Sequence, residues 1–393
     1  MTTKKNHSWT LLILCLGYFI DFYDLTIMGV SYNELIREQF HITNQVQVQQ
    51  AYLLISNFQT LGIFIGAILF GILGDKIGRA KAIRYSILIY SISTIAAVYA
   101  TSLPLFIALR TIAYIGLATE FSTSTVLILE LFPIRSSAWG MAILYSFGVL
   151  GGITATSIGM ISWQAMFIGG GLGGVVLYLA RSKIHESESY IEAQLHNKKN
   201  LGNIKLLICN HNNIAKIVMY FFMIVPYFVL ITSMFIYPNY IIKNITIAHA
   251  TKTLLLGFFI GNILSSLLSG FFFNHKKHFM LISLAIFVIL TNLYTHINDN
   301  SLMLYSLGLG LIGGGYPIVW AQLVANSFPI HIRSTASNLL FALGRGSSIL
   351  FNAMIATWII NPELFIRNEM IVVAIVSVLA LIVILKVSSK SIV

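Results

Sequence analysis

This sequence predicts an all-α membrane protein, with twelve transmembrane helices arranged as two six-helix halves. Three observations lead there. Of the 393 residues, 57% are hydrophobic and 9% charged, against roughly 25% charged in soluble domains. The apolar stretches recur at about the 20-residue length that a membrane span requires. The basic residues are also distributed unequally between the two sides of those stretches.

Along the chain, the spans fall near 9–31, 50–74, 82–101, 104–131, 139–160 and 163–180, then near 213–236, 253–273, 279–296, 302–325, 336–359 and 368–388. The first follows Lys4 and Lys5, as a secretory leader would. No small-residue cleavage site appears, and Asp21 and Asp24 interrupt the run, so it reads as an uncleaved span. Gly148, Gly151 and Gly152 in the fifth span, and Gly313 to Gly315 in the tenth, suit close helix crossing or bending. Pro226 and Pro317 mark expected kinks. The longest polar stretch, "RSKIHESESYIEAQLHNKKNLGN" (181–203), separates six spans from six. The expected organisation is an N-terminal bundle over 1–180, a cytoplasmic linker over 181–212 and a C-terminal bundle over 213–393.

With the N-terminus inside, 18 of the 24 basic residues fall on the cytoplasmic side, while the outer loops hold Arg37, Lys243, Lys252 and Arg367. Both termini are therefore expected in the cytoplasm, in a bacterial inner membrane. The net charge of +11 follows from this asymmetry and does not call for nucleic acid. Cys15 and Cys209 make no disulfide framework, and "HKKH" (275–278) interposes lysines between its histidines. No nucleophile–base motif, phosphate loop or metal-ligand set appears. The sequence therefore predicts no enzyme, no cofactor and no metal site.

The halves echo each other. "ELFPIRSSAWG" (130–140) closes the fourth span and "NSFPIHIRSTASN" (326–338) closes the tenth, an offset of 196 residues between Pro133 and Pro329. After the second span, "GILGDKIGRAKAI" (71–83) resembles the signature of the major facilitator superfamily, matched at Gly71, Asp75, Lys76, Gly78, Arg79 and Lys81. The resemblance implies twelve helices, alternating access and a small-molecule substrate, usually with a monomeric protein. In its chemistry, Asp75 can cap the next helix or pair across its half, while Arg79 and Lys81 stay among the headgroups. The second-half counterpart, "GFFFNHKKH" (270–278), has Asn274 where the acid stands.

Four further stretches resemble the metabolite:proton symporters and the related aromatic-acid and sugar porters. They are "DFYDLTIMG" (21–29), "RTIAYIGLATE" (110–120), "ELFPIRSSAWG" with Glu130 and Arg135, and "FALGRGSSIL" (341–350). The fourth-span stretch departs from the pattern, with Tyr114, Ala118 and Thr119 in place of glycines.

An ionisable residue within a span is a functional candidate that needs a partner. Asp24 lies roughly 22 Å along its helix from Trp9, at about 1.5 Å per residue, near the middle of the span. The resemblance implies an ion pair between Asp24 and Arg110 that responds to proton binding. Arg110 favours the ionised acid, whereas separating the pair or drying the site favours the neutral one. Asp21, one turn away, is either a polar cavity residue or a second acid sharing the site. Glu120 is a second proton relay or a neutral hydrogen-bonding acid, and Glu130 and Arg135 are latch residues. Arg345 is the candidate for gripping a carboxylate, with Tyr23, Gln164, Tyr227, Tyr237, Asn262, Trp320 and Gln322 as further pocket candidates.

The function expected is proton-coupled uptake of a small organic solute, an organic acid or amino acid. A proton-coupled exporter of a metabolite or drug is the alternative, followed by a non-transporting nutrient sensor on the same scaffold.

Overall fold

The computed structural model describes residues 2–159, 162–196, 198–234, 247–272, 275–293, 299–358 and 362–386, with some helical residues, Arg135 among them, described by backbone alone. The expected Asn274 and Tyr237 lie outside the described residues, as does the side chain of Arg135.

Among the described residues the chain is helical, without strands. In order come α1 (Thr2–Phe40), α2 (Gln45–Ile77), α3 (Arg79–Val98), α4 (Leu103–Leu117), α5 (Glu120–Leu131), α6 (Ile134–Gly159) and α7 (Trp163–Ala180). Two short helices follow, α8 (Glu188–His196) and α9 (Ile204–Ile208). Then come α10 (His211–Met234), α11 (Ile247–Phe271), α12 (Lys276–Leu293), α13 (Asp299–Ser327), α14 (Arg333–Trp358) and α15 (Pro362–Lys386). Nine described helical stretches are long and apolar enough to cross a membrane, with α4 and α5 forming one span. Shorter apolar stretches in α11 and α15, together with α14, complete the order of twelve.

Local chemistry sets the boundaries. Asn44 accepts from the Val46 amide at 2.9 Å to open α2, Ser102 from Leu105 to open α4, and Ser162 from Ala165 at 3.1 Å to open α7. Helix α1 closes where His41 adopts φ 56°, the left-handed conformation. Gln39 then donates to the carbonyls of Ala97, Val98 and Ala100, each at 3.1 Å, and satisfies the end of α3. Pro226 and Pro317 sit inside continuous helices.

The fourth span differs from the single helix expected. It breaks at Ala118–Thr119, so Glu120 is the first residue of α5. The hydroxyls of Thr119 and Thr123 bond to each other there, the local side-chain competition that makes threonine a poor helix interior residue.

The chain divides into two compact units. The first comprises Met1–Pro133, Phe147–Asn210 and Phe328–Ala342. The second comprises Ile134–Ser146, His211–Ser327 and Leu343–Val393. In the first, Ile27, Leu35, Ile36, Ile55, Phe106 and Phe167 belong to one buried apolar cluster. The outward face of α2 is just as apolar, with Leu54, Phe58, Leu61, Ile65 and Leu69 exposed. Lipid offers no hydrophobic gain for burying one face over another, so close packing decides which face turns inward. A Cβ at Gly116 would lie 2.7 Å from the Tyr90 backbone nitrogen, so glycine is what lets α4 meet α3. In the second unit the same device joins α11 to α13, where a Cβ on Gly261 would lie 2.8 Å from Gly310 Cα. Helix α10 is tied to α13 by Trp320 donating to the Tyr220 carbonyl at 2.8 Å and by Lys216 donating to the Ser327 carbonyl at 2.8 Å.

Candidate functional site

The first unit buries two bidentate ion pairs. Asp24 of α1 and Arg110 of α4 are both 0% exposed. Arg110 donates through Nη1 to Oδ1 at 3.0 Å and through Nη2 to Oδ2 at 2.7 Å, the bidentate fork that guanidinium offers a carboxylate. Thr94 accepts from Nη1 at 3.4 Å, and the Gln59 amide, with its oxygen toward the guanidinium, accepts from Nε at 3.1 Å. The guanidinium also lies 5.1 Å from the Tyr114 ring centre and 5.0 Å from that of Phe167. Tyr90 of α3 donates to Asp24 Oδ1 at 3.3 Å. Asp21, one turn earlier, is buried too.

The second pair joins Glu120 to Arg181, which follows α7. Both guanidinium nitrogens reach the carboxylate at 2.6 Å, and Nη1 also donates to the Ile83 carbonyl at 2.5 Å. Ser86 lies 3.5 Å from Glu120 Oε1. Sequence reasoning left Arg181 among the linker bases and missed this role, because an arginine at the end of an apolar run usually lies at the headgroups.

The α2–α3 corner is the third polar cluster. Asp75 caps the start of α14, accepting from the Ser334 amide at 3.1 Å, the Thr335 amide at 2.8 Å and the Thr335 hydroxyl at 2.7 Å. It therefore does not cap the next helix, one of the two roles expected. That place is taken by Glu186, which accepts from the amides of Arg79 and Ala80 at 2.9 Å and of Lys81 at 3.3 Å. Gly78 makes this possible. Its φ of 110° suits glycine, and its bare Cα faces the Glu186 carboxylate. Burial raises the Glu186 carboxyl above its usual range, against the lowering effect of these amides and of Arg79. Burial likewise pushes the Tyr190 phenol up to about 12, so it stays neutral beneath the Arg79 guanidinium 4.4 Å from its ring. Arg79 also bonds to Asp75 at 3.3 Å, Glu130 at 3.2 Å and the Ile330 carbonyl at 2.6 Å. Glu130 further takes Arg333 at 3.3 Å and Ser187 at 2.7 Å. Gly71 packs against the Thr335 backbone, while Lys76 and Lys81 are exposed.

The remaining pocket candidates are dispersed. Tyr23 donates to the Met166 carbonyl at 3.0 Å in the first unit, where Gln164 is half-buried. In the second, Tyr227 and Tyr145 share a 2.8 Å hydroxyl contact, and Tyr145 donates to the Gly313 carbonyl at 3.0 Å. Asn262 donates to the Phe258 carbonyl at 3.0 Å, Gln322 and Trp320 are buried, and Arg345 is half-buried. Tyr145 had no signal in the sequence beyond an aromatic in a span. Among the described residues no group of three or more His, Cys, Asp or Glu side chains could hold a metal ion.

Comparison with known proteins places this geometry in context. The family model described as Major Facilitator Superfamily matches residues 14–242. A putative metabolite transport protein of Haemophilus influenzae is 29% identical over 374 residues, covering 88% of each chain. The niacin transporter NiaP of Acinetobacter baylyi is 27% identical over 192 residues, covering 48% of this chain and 42% of its own. Among solved structures, the proton:xylose symporter XylE superposes with a TM-score of 0.79 at 15% identity, covering 98% of this chain and 96% of its own.

Proposed function

This chain belongs to the Major Facilitator Superfamily, and we propose that it is a proton-coupled symporter that takes up a small organic carboxylate. It is a multi-pass membrane transporter of metabolites and not an enzyme. The proton coupling rests on one observation, the fully buried Asp24–Arg110 pair. An ionisable pair in the middle of apolar helices is costly, and a transporter has a use for that cost.

With Arg110 engaged, the ionised Asp24 is stabilised by its counter-charge and by Tyr90. Movement of Arg110 away leaves a carboxylate in a dry site, and taking a proton relieves the uncompensated charge. Protonation thereby becomes tied to which side of the membrane the site faces, and a proton entering from outside carries solute inward. In this reading Glu120 is held by Arg181 as a fixed anchor of the framework, and the Asp75, Glu130 and Glu186 cluster fixes the α2–α3 corner. A carboxylate substrate fits the half-buried Arg345, since guanidinium binds carboxylate through two parallel bonds. Likeness to a niacin transporter supports the same chemistry.

The test is uptake into proteoliposomes of labelled niacin, benzoate, an amino acid and xylose under an imposed pH gradient. A carboxylate is expected to accumulate. Asp24→Asn should abolish accumulation yet leave counterflow exchange intact. Concentration of solute by that variant would remove Asp24 from the coupling.

A further inference from the structure

Asp24 Oδ1 receives two donors, Arg110 Nη1 from α4 and the Tyr90 hydroxyl from α3. Both side chains are fully buried, but Arg110 carries its charge at the end of a long, rotatable side chain, whereas the short Tyr90 side chain lies closely beside three glycines. A Cβ at Gly116 would lie 3.2 Å from Tyr90 Cβ, one at Gly174 would lie 3.3 Å from Cδ1, and one at Gly170 would lie 2.9 Å from the hydroxyl oxygen. The same Cβ at Gly170 would meet the Tyr23 ring at 3.0 Å. A methyl group there would crowd the hydroxyl, and the phenol or its helix would have to shift to admit it, as overpacking a close-packed interior requires.

Resting on the symport reading above, we infer that Tyr90 is the positioning residue that keeps the Asp24 carboxylate hydrogen-bonded once Arg110 has let go, and that Gly170 leaves room for its hydroxyl. At 3.3 Å the contact is long while Arg110 shares the same oxygen. Withdrawal of Arg110 frees Oδ1 for it. A neutral phenol then replaces the cation as donor, so the site passes through a hydrogen-bonded anion before a proton arrives. A donor to an ionised carboxylate is stronger than a hydrogen bond accepted from the neutral acid, so Tyr90 delays protonation and sets the pH at which it occurs. Arg110 from α4 and Tyr90 from α3 bond to Asp24, and the buried Tyr23 and Asp21 lie one and three residues before it on its own helix. Helix α7 contributes Gly170 and the Met166 carbonyl, and Gln59 of α2 faces the guanidinium.

The experiment needs no substrate, so it is independent of whether uptake is proton-driven. The full chain, reconstituted in liposomes, is titrated by infrared spectroscopy of the protonated-carboxyl band that Asp24→Asn removes. Tyr90→Phe should move the midpoint of that band up by about one pH unit, a tenfold change. Gly170→Ala should move it the same way, and the double variant no further than the larger single. The Tyr90→Phe shift should persist in an Arg110→Gln background. An unchanged midpoint in Tyr90→Phe, or loss of its effect when Arg110 is replaced, overturns the role of Tyr90. A shift in Tyr90→Phe with none in Gly170→Ala overturns the role of the glycine. A purely structural Tyr90 would lower stability and leave the midpoint where it was.

Discussion

Of the carboxylate–guanidinium pairs buried in the first unit, Asp24–Arg110 and Glu120–Arg181 are two-pronged, yet their surroundings differ. Around Asp24–Arg110 the neighbours are side chains: Tyr90, Thr94, Gln59 and the rings of Tyr114 and Phe167. Around Glu120–Arg181 a single side chain, Ser86, lies at 3.5 Å, while the guanidinium is held by the Ile83 backbone carbonyl and Gly17 of α1 packs against both partners. Side chains can change partners by rotating, whereas a helix carbonyl cannot follow a moving charge. On the symport reading proposed above, what separates the coupling pair from the anchoring pair is therefore not burial but the capacity of its surroundings to rearrange.

The sharpest way to break this contrast is to remove one arginine from each pair. Arg181→Ala strands a buried carboxylate and should lower stability by about 3–5 kcal/mol, read as thermal unfolding in detergent, with uptake per folded molecule kept. Arg110→Ala should eliminate proton-driven uptake per folded molecule. Equal loss of uptake in both would erase the distinction.

A smaller effect tests the packing. Gly17→Ala drives a methyl into Arg181 Nη2 and to 2.8 Å from Glu120 Oε2 and should cost about 1–3 kcal/mol. Gly29→Ala, on the same helix with open space around it, should stabilise by about 0.5–1 kcal/mol. Both are read from the same unfolding curves, and similar values for the two would show that Gly17 does not set the closeness of α1 to the pair.

Least in size is the corner held by Glu186. Glu186→Gln should lose about 1 kcal/mol of capping. The sign of the pH effect follows from burial, which raises this carboxyl in the folded protein. Just above the usual glutamate range the folded chain then holds a proton that the unfolded chain has released, so stability falls as pH rises through that window. The glutamine variant should lack this slope in thermal unfolding measured across mildly acidic pH.

What the sequence made legible follows from how local each signal is. The spans are written in composition, and the cost of burying charge marks Asp24 as needing a partner. Naming Arg110 as that partner comes from the family resemblance. The partners of Asp75, Arg181 and Glu186 are not written in composition or in that cost. Each is a contact between residues far apart in the chain, and at each position the residue has an ordinary local explanation: a turn acid, a headgroup base, a linker acid. Ser-Glu-Ser in "HESES" even looks like a capping sequence for its own helix, whereas its Glu186 caps α3. The break at Ala118–Thr119 was hidden in the same way, since threonine is common in spans and the apolar run continues across it.

The cap on α14 also bears on biosynthesis. The amides that satisfy Asp75 come 259 and 260 residues later in the chain. A ribosome that has finished the first six spans has therefore produced a carboxylate whose final donors do not yet exist. Until Ser334 and Thr335 emerge, water, lipid headgroups or Arg79 must serve that acid in the nascent chain. Glu186, Glu130 and Ser187 are already present by then, but the Asp75 contacts cannot form before the FPIHIRST segment (residues 328–335) is translated.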